Sequence, residues 1–151
     1  MEAVANTMKT HTGWAKRAEP VLLHYEKKNV NLTALVTNIE KWFKERNFTT
    51  QTLQAQSKWL IQGTKQGIWR SITASARAYS IRIDGSPDDF KIEIGVGKWI
   101  NNTTSLAIIT ILSGTLLLPF CGAAALWSKK ISRDLKNYIE LTIDFVAPSS
   151  D

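Results

Sequence analysis

The residues of this chain that could do chemistry are few. They are His11 and His24, a single cysteine (Cys121), the adjacent carboxylates Asp88 and Asp89, and the glycine-lysine run Gly95–Lys98. A metal centre draws on His, Cys and carboxylate side chains at ligand spacing. Neither histidine has an acidic or cysteine partner at such spacing along the chain, so no metal or other cofactor is expected. One cysteine can build neither a disulfide nor a thiolate cluster within one chain. Cys121 sits in an apolar run, where it reads as a small hydrophobe. "GVGK" lacks the lead and the following hydroxyl of a phosphate loop, because Trp99 stands where Ser or Thr belongs. Asp88 and Asp89 are neighbours in a turn and diverge. With no nucleophile–base pair in view, the chain reads as a non-enzyme, without catalytic residues.

Binding chemistry is better represented. Lys58, Trp59, Trp69, Arg70, Arg77 and Arg82 interleave basic and aromatic side chains in the manner of a stacking platform for nucleic acid. No RNP-like or helix-turn-helix pattern accompanies them. The net charge is +6, and the first 102 residues carry all of the surplus, with 15 Lys/Arg against 9 Asp/Glu. Such a surplus suits anionic lipid or nucleic acid, and equally plain solubility.

The elements that would position these residues are legible in the middle of the chain. Leu32, Leu35, Val36, Ile39, Trp42 and Phe43 recur on one helical face, with Asn31 as N-cap and Asn47 as stop. Residues 1–30 are weakly patterned and predict at most a short helix broken near Pro20. "FTTQTLQAQ" reads as a strand, and "KWLIQGTKQGIWRS" as a strand, a turn and a further short strand. "AYSIRIDGSPDDFKIEIGVGKW" predicts a hairpin. Pairing Asp84 with Lys91 sets Arg82 against Glu93, Ile83 against Ile92, Ile81 against Ile94 and Tyr79 against Val96. Opposite charges then meet on one face and apolar residues on the other, and a one-residue slip destroys both matches.

The run from Asn101 to Ser128 has no charged residue. Lys98 and Trp99 precede it, and Trp127, Lys129 and Lys130 close it, in the pattern of membrane-interface anchors. It is long enough to span a bilayer. Pro119, with Gly114, Gly122 and Ala123 as small packing residues, leaves a kinked span and a re-entrant hairpin both open. A chain starting without an apolar leader, with basic residues after the run, favours entry and exit on one face, with the bulk of the chain cytosolic. The tail resumes a helical period through Ile131, Leu135, Tyr138, Ile139 and Thr142–Ile143, ended by Pro148. It suits docking onto the sheet somewhat better than lying on a membrane.

The order of a helix ending "WFKERNF", Gln-rich strands, "SIRIDGSPDDFKIEIGVGKW", a Pro-containing apolar segment and a short amphipathic helix resembles a set of small, poorly characterised prokaryotic proteins. They carry a similar EIG-x-GKW strand before such a segment. The specific part is Glu93–Trp99, within a likeness over Asn31 to Phe145. It implies an α+β layout with a membrane segment and brings no activity.

Together these readings predict an α+β fold: an amphipathic helix on a small antiparallel sheet, then an apolar membrane hairpin or span, then a C-terminal amphipathic helix. The divisions fall at 1–30, 31–100, 101–128 and 129–151. The expected function is that of a non-enzymatic, membrane-associated protein presenting a basic cytosolic domain for protein interaction or self-assembly. Its expected partners are membrane lipids and a protein partner or second copy. The alternatives are a nucleic-acid-binding soluble module and an oligomeric pore effector.

Overall fold

The computed structural model describes residues 21–65, 77–100 and 129–148. In chain order the elements are β1 (Val21–Glu26), α1 (Leu32–Glu45), β2 (Phe48–Ala55), β3 (Lys58–Lys65), β4 (Arg77–Ser86), β5 (Asp89–Lys98) and α2 (Lys129–Val146). The strands form one antiparallel sheet in the order β1-β5-β4-β3-β2. Thus α1 carries the chain from one edge of the sheet to the other, and β2 to β5 then return strand by strand until β5 closes on β1.

Helix α1 forms as its sequence dictates. The Asn31 side chain accepts a hydrogen bond from the Ala34 amide at 3.1 Å, capping the first turn. The six apolar residues of the predicted face are those that it buries. It stops at Asn47, which takes a left-handed φ of 63°, a conformation Asn tolerates better than most residues. The β4–β5 register is the one predicted, from Tyr79↔Val96 to Asp84↔Lys91.

The period-two alternation gives the sheet two unlike faces. Ile61, Tyr79, Ile81, Ile83, Phe90, Ile92, Ile94 and Val96 join Leu23 and Phe48 in a core covered by both helices. From α2, Leu135, Ile139 and Ile143 enter the same core, and the Tyr138 hydroxyl donates to the Asn38 carbonyl of α1 at 3.3 Å. The tail helix therefore docks on the sheet domain. Gly63 lies directly under Phe43: a Cβ there would sit 2.5 Å from Phe43 Cδ1.

Two expectations are corrected. Residues 21–26, read within a weakly patterned segment holding at most a short helix, form β1. Val21, Leu23 and Tyr25 turn to the helix-covered face, and β5 supplies the partner strand. The expectation of a membrane-crossing helix is corrected for the described residues: among them no helix is long and apolar enough to cross a membrane. α1 has only 14 residues and one apolar face. α2 has 18 residues, but charges recur throughout Lys129–Val146. Trp99, expected as an interface anchor, is buried. Lys130, expected beside it, is exposed on α2. The charge-free run, with Gly114, Pro119, Gly122, Ala123 and Trp127, lies outside the described residues, as do the side chains of Lys98 and Lys129.

Candidate functional site

The sheet face away from the helices is organised in rows that run across the strands. One row places Lys58, Asp84, Lys91 and His24 side by side on β3, β4, β5 and β1. The next holds Leu60, Arg82, Glu93 and Leu22, and a third holds Gln51, Gln62, Ser80 and Gly95.

The third row is a buried polar network. Gln62 and Ser80 are fully buried. The Gln62 amide donates to Ser80 Oγ at 3.0 Å, and Ser80 donates to the Ala78 carbonyl at 3.2 Å. Gln62 Oε1 accepts from the Gln51 amide at 2.7 Å and from the Ile100 backbone at 3.1 Å, while Gln51 also donates to the Ile100 carbonyl at 2.9 Å. The chain leaving β5 is thus stitched across β3 and β2, and Ile100 packs with Leu53 on Ala55 and Leu60. Gln51 and Gln62, of the Gln-rich strands, act as the clasp for the exit from the sheet.

Of the residues proposed as a basic, aromatic platform, the described Lys58, Trp59 and Arg82 do not share one surface. Lys58 and Trp59 are consecutive on β3, so their side chains take opposite faces. Lys58 lies 3.4 Å from Asp84. Arg82 pairs with Glu93 at 2.7 Å, both mostly buried, and its Nη1 makes no hydrogen bond. Tyr79 is in the helix-covered core. Trp69, Arg70 and the Arg77 side chain lie outside the described residues. Among the described residues a basic-on-aromatic contact lies at the end of α1 instead, where the guanidinium of the C-cap Arg46 sits 4.1 Å from the Trp42 ring centroid.

Three further features emerge. An open cleft of about 700 Å³ lies where the N-terminus of α1, the two hairpin turns and the end of α2 converge, lined by Val30, Leu32, Trp59, Pro87, Val146 and Pro148 among others. At the β1 edge, His24, Glu26 and Asp89 bring one nitrogen and two carboxylate oxygens within 4.8 Å of one another. Along the sequence His24 and Asp89 are far apart, and only the pairing of β1 with β5 joins them. On α2, Leu141 and Phe145 are 70% and 86% exposed, the largest exposures among the described large apolar side chains. Their signal was in the sequence: they lie one turn apart, off the stripe that docks α2.

Burial pushes the Tyr25 hydroxyl up to about 12, with Glu140 and Asp144 of α2 adding to the shift. This ties the electrostatics of the β1 edge to the acidic side of α2. No protein-family model, curated protein or solved structure matches the chain.

Proposed function

We propose that this protein is a non-enzymatic α+β interaction module that pairs with a second copy of itself through α2. The observation behind the reading is the exposed pair Leu141 and Phe145. With the half-buried Tyr138 they form a three-then-four spacing along α2, the repeat by which one helix seats against another. α2 is already anchored by Leu135, Ile139 and Ile143, so this second stripe is held on a fixed scaffold. A two-fold axis across α2 would meet Leu141 and Phe145 with the same residues of the second copy, an isologous contact.

Magnitudes set the strength. Full burial of a Leu or Phe side chain is worth roughly 1.5–3 kcal/mol. Four such side chains across a dimer contribute on the order of 6–12 kcal/mol before the association cost of about 4–15 kcal/mol. These anchors alone support a weak, concentration-dependent dimer.

Sedimentation of the full chain over a wide concentration range tests this. The expected result is reversible dimerisation, lost in Leu141→Glu/Phe145→Glu while circular dichroism stays unchanged. A wild-type chain that stays monomeric at the highest concentration refutes it, as does a dimer that the double variant leaves intact.

A further inference from the structure

We propose that His24, Glu26 and Asp89 form a binding site for a zinc-class divalent cation, with a coordination position left open to solvent. This inference is independent of self-assembly and rests on the pairing of β1 with β5.

The pairing sets the geometry. His24 and Glu26 are two apart on β1, so they project from the same face. Glu26 stands opposite Asp89 and His24 opposite Lys91. His24 Nε2 is 2.7 Å from Asp89 Oδ1 and 3.9 Å from Glu26 Oε1. In a tetrahedral zinc centre with bonds of about 2.0–2.1 Å, neighbouring donor atoms lie roughly 3.3 Å apart. The two distances bracket that value, so modest side-chain rotations would admit an ion between the three groups. All three side chains are between 45% and 66% exposed, which leaves them free to make those rotations.

The backbone under the ligands is fixed. Lys27 N donates to the Asp88 carbonyl at 2.7 Å, and Val30 N to the Pro87 carbonyl at 3.0 Å. The chain just after Glu26 is thereby clamped to the turn just before Asp89. Such clamping lowers the ordering cost of binding.

The donor set selects the ion class. Calcium takes six to eight oxygen ligands, and magnesium prefers an octahedral oxygen shell that keeps its waters. One imidazole with two carboxylates suits zinc, cobalt or nickel better. Two carboxylate charges match a divalent cation, while the Lys91 ammonium beside His24 opposes it. Lys91 also faces Asp84 on its other side, and its charge weakens the affinity for a cation. An ion held by Nε2 would use that nitrogen's lone pair, so the neutral imidazole would carry its proton on Nδ1.

The test is calorimetric titration of the tag-free full chain, stripped with chelator, with zinc chloride. A Cys121→Ser background excludes thiolate binding. The expected result is one zinc per chain, not displaced by excess calcium or magnesium. His24→Asn should weaken it more than the ~10–100-fold that loss of a mere outer-sphere partner costs. Asp89→Asn should weaken it comparably. Cobalt in place of zinc should give a visible absorption band of low-symmetry nitrogen–oxygen coordination that both variants lose. Absence of saturable zinc binding overturns the proposal. So does binding that survives in His24→Asn and Asp89→Asn, since the ion would then sit elsewhere.

Discussion

Replacing Gly63 by Ala should destabilise the protein, although in an open strand that change is usually favourable. An added Cβ would lie 2.5, 2.8 and 2.9 Å from Cδ1, Cε1 and Cγ of Phe43. These atoms belong to a rigid ring, and the ring is fully buried. It meets Trp42 edge-on at a centroid distance of 5.3 Å and Phe48 at 5.2 Å, so it cannot step aside without moving both. Overpacking of this kind costs typically 1–3 kcal/mol. The reduced freedom of the unfolded chain returns about 0.4–1 kcal/mol. The net loss is therefore roughly 1–2 kcal/mol. With a urea m-value of about 2 kcal/mol/M, the midpoint should fall by roughly 0.5–1 M. Phe43→Leu in the Gly63→Ala background should cost less than Phe43→Leu alone, because the smaller side chain relieves the clash. Urea denaturation of the four proteins of this cycle measures the coupling. A Gly63→Ala protein as stable as wild type, or a cycle without coupling, would refute the packing of α1 on β3.

Gln62→Leu removes the acceptor for both Gln51 and the Ile100 amide and the donor to Ser80. It should cost about 2–4 kcal/mol through stranded buried polar groups, and freeing the exit from β5 should shift tryptophan emission to the red as Trp99 is wetted. Asn31→Ala deletes the cap on Ala34 and should lower stability by about 1 kcal/mol in chemical denaturation. The pH prediction concerns Tyr25, whose hydroxyl stands near 12 against an ordinary value near 10. Below pH 10 the phenol is neutral in both folded and unfolded chains, and its stabilising effect is fully present. Between about pH 10 and 12 the unfolded chain loses the proton first, so stability should fall as pH rises. Tyr25→Phe should flatten that part of the stability curve, and phenolate absorbance should show one group titrating late.

What could be read from the sequence was what local order specifies. In β4 and β5, charges pair on one face and isoleucines on the other, and only one register satisfies both. In α1, six apolar residues, an asparagine cap and an asparagine stop agree with one another. The stretch "VLLHYE" offers no such agreement. Leu22 breaks the alternation of Val21, Leu23 and Tyr25, and nothing nearby in sequence pairs with it. It becomes a strand because β5, some seventy residues later, presents an edge whose Phe90, Ile92 and Ile94 match its apolar side. The 101–128 run, which lies outside the described residues, could be read only from its composition. A stretch without charge has no polar face to report which way it turns, so its composition alone set the membrane expectation.

The same missing strand hid the metal-site candidate. His24 and Asp89 are 65 residues apart, and no ligand spacing along a chain of this length would join them. Their approach follows from three local facts together: a β1 edge, a two-residue turn at Pro87–Asp88, and a register that sets Glu26 against Asp89. A chemical centre assembled by strand pairing is as legible as its least legible strand. The consequence can be tested without altering a ligand residue. A double variant at Leu23 and Tyr25 that detaches β1 should spare the β4–β5 hairpin, whose register stands on its own side chains. It should also abolish zinc binding, although His24, Glu26 and Asp89 all remain in the chain. Amide exchange can report the first effect and calorimetry the second. Retained zinc binding in a protein whose β1 amides exchange freely would show that the three side chains need no sheet to meet, and that the β1–β5 pairing is not what builds the site.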